Sequence, residues 1–139
     1  MSVFYVDDKE SYEALKPSAR KLGEAFQKIN FLRDIRQDFE ERGRIYFPEL
    51  DLKSFTVDTK RKIEAEIRED FLDARTGIRK LHKEARMGVF IAYRYYYRLL
   101  KKISKIPPEK LMKKRVRIDN FSKLIIIGDS LLRNMLGFL

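Results

Sequence analysis

Gln27, Asn30, Asp34 and Asp38 follow one another at steps of three, four and four. On a helix turning about 100° per residue they fall on one ridge, with Gly23 at its start. Carboxylates at i and i+4 lie about 6 Å apart along the axis and repel each other unless a cation sits between them. Mg²⁺ suits such a pair. It prefers hard oxygens, takes one or two carboxylates, and completes its shell with water and substrate phosphates. An isolated acid pair of this spacing is more often a solvated face. Here the ridge is Gly and amide rather than a Lys/Glu mixture, with Phe26 and Phe31 at its flanks. The same helix carries Leu22, Ile29, Leu32, Ile35 and Phe39. Polar groups on so apolar a helix need partners. A metal-bound diphosphate supplies them, and Gly23 leaves room for a chain-like substrate against the helix.

The elements that must position this ridge are helical. Pro17 can open the first helix, since its missing N–H is no loss in a first turn. Gly43 marks its end, after Arg42. Residues 44–58 read as a loop with Pro48 at its centre and Leu50, Leu52 and Phe55 as anchors. Thr56 or Asp58 caps the next helix. Its stripe of Ile63, Ile67, Phe71, Ala74, Ile78 and Leu81 recurs at steps of four and three, the period of an amphipathic helix. A third helix from about Arg86 to Ile106 is apolar over most of its circumference, which predicts a place near the centre of a bundle. Pro107 and Pro108 end it. A basic connector over residues 109–119 leads to Asp119 or Asn120 as the cap of a last helix rich in Leu and Ile. Nothing reads as a strand, so the expected class is all-α, a helical bundle of one domain over residues 1–139.

Composition narrows the chemistry. With no Cys there are no disulfides and no thiolate metal sites. With 6 Gly and 4 Pro in 139 residues, a turn-rich sandwich or barrel is excluded. No apolar run approaches the roughly 20 residues that span a bilayer, and the N-terminus lacks a signal-peptide pattern. A cytoplasmic chain is expected. The net charge of +10 is uneven: residues 74–139 hold 17 Lys and Arg against 4 Asp and Glu, a net of +13. Such a half attracts phosphates or an anionic membrane. Nucleic acid is not expected, because no recognition motif accompanies the charge. His82, the only histidine, falls at a basic helix end and suits surface or capping duty.

The string Gly23-Glu-Ala-Phe-Gln27-Lys-Ile-Asn30-Phe-Leu-Arg33-Asp34-Ile-Arg-Gln-Asp38 runs on into Glu41-Arg42-Gly43-Arg44-Ile45-Tyr46-Phe47-Pro48. It resembles the second signature of squalene and phytoene synthases: Gln, Asn, Arg-Asp, three residues, Asp, and a Gly-Arg-x-Tyr-x-Pro tail. The resemblance implies the all-α isoprenoid synthase fold. It implies that Asp34 and Asp38 bind Mg²⁺ bridging to a prenyl diphosphate, with Gln27 and Asn30 lining the site. It further implies that Arg33, Arg44 and Tyr46 support the diphosphate or the loop over it. More weakly, the helix holding Ala92, Tyr96, Leu99 and Leu100 is similar to a cavity helix of that family, with Tyr96 reaching the active site. Arg115, Val116 and Lys123 are similar to a final structural pattern.

That family joins two prenyl diphosphates head to head, through an allylic cation and a cyclopropyl intermediate. Phytoene-type chemistry, on geranylgeranyl diphosphate, is the closer expectation from the motif and loop. The family's first aspartate-rich helix has no counterpart in this chain, where Asp7 and Asp8 are adjacent rather than four apart. The resemblance therefore covers the later half of the family domain. A homo-oligomer, or a chain supplying the other half, is expected to complete the cavity. The alternative reading is a non-catalytic basic helical module that binds an anionic membrane or a partner protein. Its basis is the run Lys113-Lys114-Arg115 with Arg117 ahead of the apolar last helix.

Overall fold

The computed structural model describes residues 9–35, 55–113 and 116–137. Among these residues the chain is helical and has no strand. This is the all-α class expected for an isoprenoid synthase-like fold.

Helix α1 spans Lys9–Arg33 and buries Leu15, Leu22, Ala25, Ile29 and Leu32, a stripe with the helical period. It begins eight residues before Pro17, which therefore lies inside the helix instead of opening it. The proline ring is exposed, so its cost to a helix interior is met on the solvent side. Packing on both sides of it holds the turns together. Upstream, Tyr12 and Leu15 pack with Leu81 and Val89; downstream, Leu22 enters the main core. Tertiary contact has overridden a local signal for a helix start.

Helix α2, Val57–Arg79, starts where the sequence predicts. Thr56 is its N-cap, and the Thr56 hydroxyl accepts from the Thr59 N–H at 3.3 Å. All six residues of its expected stripe are buried. Helices α1 and α2 form the most extensive interface. They approach so closely at Gly77 that a Cβ there would stand 2.3 Å from the Cβ of Ser18. Asp70 of α2, with its side chain 7% exposed, draws Lys28 to 2.7 Å and Lys21 to 3.3 Å across the same interface. At the start of α2, Lys60 and Glu64 form a buried pair at 2.5 Å.

Leu81 and His82 lie in the short link to helix α3, Lys83–Ser104, and Arg86 fastens that link by donating twice to the Leu81 carbonyl, at 2.7 and 3.2 Å. Leu99, Leu100 and Ile103 of α3 are fully buried, but residues 89–97 are only half-buried. The helix thus runs from edge to core, and its tyrosine-rich middle forms a partly open wall. The sequence expectation of a central helix holds only for its C-terminal turns. The basic connector is likewise more than a solvated link. It contains the short helix α4, Pro108–Leu111, and plants Leu111, Val116 and Ile118 in the core.

Helix α5, Asn120–Met135, is capped by Asp119, whose carboxylate accepts from the Ser122 N–H and from the Ser122 hydroxyl, both at 2.8 Å. These bonds hold the Asp119 carboxyl below the usual carboxylate range, the backbone N–H contributing most.

Candidate functional site

The aspartate ridge meets the tyrosine wall where α1 packs on α3. Phe26, one turn before Asn30, stacks on Tyr96 with ring centroids 4.1 Å apart and planes inclined by 19°. Asn30 Nδ2 donates to the Tyr96 hydroxyl at 3.3 Å. Asn30 and Tyr96, 66 residues apart in the chain, therefore face one another across the helix pair. The other tyrosines point elsewhere. Tyr93 and Tyr97, one turn apart, set their rings edge-on to Phe71 of α2, at 5.0 and 5.8 Å. Burial pushes the Tyr93 phenol above its ordinary value. Tyr95 meets Tyr96 edge to face at 5.3 Å. The result is an aromatic surface of the kind that can line a space closed to water.

Asn30 makes the polar centre of this surface. Its carbonyl oxygen Oδ1 is buried and has no hydrogen-bond partner among the described residues. Leaving such an acceptor unmatched costs about 1–3 kcal/mol. A hard cation, or a donor on a ligand, would remove that cost. Asp34, one turn further on, lies in a turn just past the end of α1, although its N–H still bonds to the Asn30 carbonyl at 3.0 Å. The ridge thus follows a regular helix through Arg33 and leaves it at the first aspartate. The Asp34 side chain is 9% exposed, and Arg33 donates to its Oδ2 through Nε at 3.2 Å and Nη2 at 2.9 Å.

Of the residues singled out in the sequence, Asn30, Arg33, Asp34 and Tyr96 stand at or beside this junction. Gln27 is exposed on the same helix, and Gly23 opens on empty space, with nothing within 4 Å of a Cβ placed there. Asp38, Arg44 and Tyr46 lie outside the described residues. Among the described residues no group of three or more His, Cys, Asp or Glu side chains is gathered as a metal site. Sequence reasoning passed over the Phe26–Tyr96 stack as a contact. The signal was available only in part: both residues are aromatic, but nothing in the sequence fixes how α3 is rotated against α1.

No solved structure matches the chain. The model of the squalene/phytoene synthase family matches residues 1–122, which takes in α1 to α4, the whole ridge and Tyr96. A match over that share of 139 residues settles the question: this chain belongs to the squalene/phytoene synthase family.

Proposed function

We propose that this chain forms the Mg²⁺- and diphosphate-binding wall of a head-to-head prenyltransferase, phytoene-type in its choice of geranylgeranyl diphosphate. The family's members are transferases of isoprenoid biosynthesis acting on prenyl diphosphates. The observation that carries the reading for this chain is the buried Asn30 Oδ1 with no hydrogen-bond partner among the described residues, one turn from Asp34 and against Tyr96. The donor set is hard oxygen throughout, which fits Mg²⁺. Asp34 and Asp38 would hold the ion, with Asn30 and Gln27 beside it. When bound, Mg²⁺ supplies charge stabilisation for a departing diphosphate.

The chain's own residues have separate tasks. Arg33, Arg44 and Tyr46 take up phosphate charge through charge-assisted hydrogen bonds. The Tyr96 hydroxyl accepts from Asn30, so its own proton is left to donate to a substrate oxygen. Phe26 and Tyr96 present ring faces that keep water from an allylic cation.

Titration calorimetry with inorganic pyrophosphate, and then with a prenyl diphosphate, tests this. Binding is expected with Mg²⁺ and not with EDTA. Asp34→Asn should weaken it by about tenfold or more, roughly 1.4 kcal/mol. Glu69→Gln, on the exposed face of α2, should leave it unchanged. Equal affinity with Mg²⁺ and with EDTA would dispose of the reading.

A further inference from the structure

Helix α5 is packed inside out. Its buried face is Ser122, Ile126 and Ser130, one residue per turn. The opposite face holds Phe121, Leu124, Leu131, Leu132 and Met135, exposed by 72%, 67%, 50%, 54% and 82%. On a helical wheel these five fall within an arc of about 100°, centred roughly opposite the buried serines. The orientation is fastened by specific polar ties. Arg94 of α3 reaches both Asp129 and, at 3.3 Å, the Ser130 hydroxyl, while Arg133 holds Asp129 at 2.9 Å. The helix thus uses its polar side to grip α3 and turns its apolar side away from the protein. The family match ends at residue 122, so most of α5 lies beyond it.

We infer that this face is a docking surface for an anionic lipid bilayer, with α5 lying in the plane of the headgroups. Charge selects this occupant. A cleft of about 520 Å³ between α3 and the start of α5 is lined by Arg98, Lys101, Lys102 and Lys105, together with Arg94, whose charge is already met by Asp129. Its one acid, Asp119, is already engaged by Ser122. Lys123 adds another exposed cation on α5 itself. Ser122 and Ile126 on the inner face of α5 line the cleft, so its cations stand behind the apolar strip, at the level of anionic phosphates when the strip meets acyl chains. A second copy of the chain matches it poorly, because pairing would bring two halves of charge +13 together. Length sets the mode of attachment. Sixteen helical residues extend about 24 Å, short of the roughly 30 Å hydrocarbon core. No helix among the described residues is long and apolar enough to cross a membrane. This inference does not depend on the catalytic reading.

The chain has no tryptophan, so Leu131→Trp reports on α5 alone. With vesicles of phosphatidylcholine and phosphatidylserine, the emission of this variant should shift to the blue and be quenched by bromine-labelled acyl chains. Vesicles of phosphatidylcholine alone, or high salt, should weaken both effects. In sedimentation with the same vesicles, replacing Leu124, Leu131 and Leu132 with Ser should lower affinity by on the order of tenfold or more, with the circular dichroism unchanged because these side chains lie outside the core. An unshifted emission spectrum for Leu131→Trp overturns the inference, as does equal affinity for neutral and anionic vesicles. It is also overturned if ultracentrifugation finds a dimer that the triple replacement dissociates, for then a second copy is the occupant.

Discussion

Tyr96 is tied to α1 twice, by its ring against Phe26 and by its hydroxyl to Asn30. The two ties can be separated. Tyr96→Phe keeps the stack but removes the hydrogen bond to Asn30 Nδ2, beside an Oδ1 that has no partner among the described residues. It should cost about 1 kcal/mol. Tyr96→Ala loses the stack as well and should cost about 2–3 kcal/mol. Urea unfolding followed by circular dichroism would measure both, and equal losses would mean that the hydroxyl contributes nothing. The spacing of Gln27 and Asn30 placed them on α1, but the helical ridge stops at Arg33, so Asp34 stands just past its end, and Asp38 lies outside the described residues. The tyrosines were not legible in the same way. Four of them stand within residues 93–97, and choosing Tyr96 rested on resemblance. Which tyrosine meets α1 depends on how α3 rolls against its neighbours, a property of side-chain packing at three interfaces and not of α3 alone.

Periodicity served well where a helix is apolar on one side only. The stripe from Ile63 to Leu81 gave both the identity of α2 and its buried face, and Thr56 marked its start. It served less well for α3, apolar nearly all round, because such a pattern does not say which turns are covered. It misled for Pro17, where local chemistry argued for a start and contacts of Tyr12 and Leu15 carried the helix through. For α5 the pattern gave the helix and not its orientation, since Ser122 and Ser130 on the inner face reverse the usual rule that the apolar side faces in. The α1–α2 crossing yields a sharp expectation. A methyl group at Gly77 would overlap Ser18 at 2.3 Å, against a part of α1 that is itself held by packing. Gly77→Ala should therefore destabilise the chain by about 1–3 kcal/mol despite the better helix propensity of Ala. Ser18→Gly in the same chain should recover part of the loss. A melting temperature for Gly77→Ala at or above that of the parent would show that the crossing can open freely.

The charge of the molecule acts on all its helices together. A net of +10, with +13 on residues 74–139, makes the folded chain repel itself. The ion pairs that oppose this are few among the described residues, and the best protected, Lys28–Asp70 and Lys60–Glu64, are too buried for salt to weaken much. Raising sodium chloride from low to physiological concentration should therefore increase the melting temperature, by about 3 °C. A fall instead would mean that surface pairs outweigh the repulsion.

The bond between Asn30 and Tyr96 closes a span of 66 residues, and this has a consequence for the chain while it is being made. A ribosome adding roughly 5–20 residues per second needs about 3–13 s to pass from one partner to the other. At the start of that interval α1 is nearly finished, but α2, its main partner, is complete only at Arg79, and Tyr96 follows later still. Helices α2 and α3, joined by a short link, can pair soon after both have emerged. The junction that bears the aspartate ridge is thus set by a segment that must wait for its partners. During synthesis the nascent chain passes through a stage in which Ala25, Ile29 and Leu32 are open to any passing chaperone or neighbouring chain.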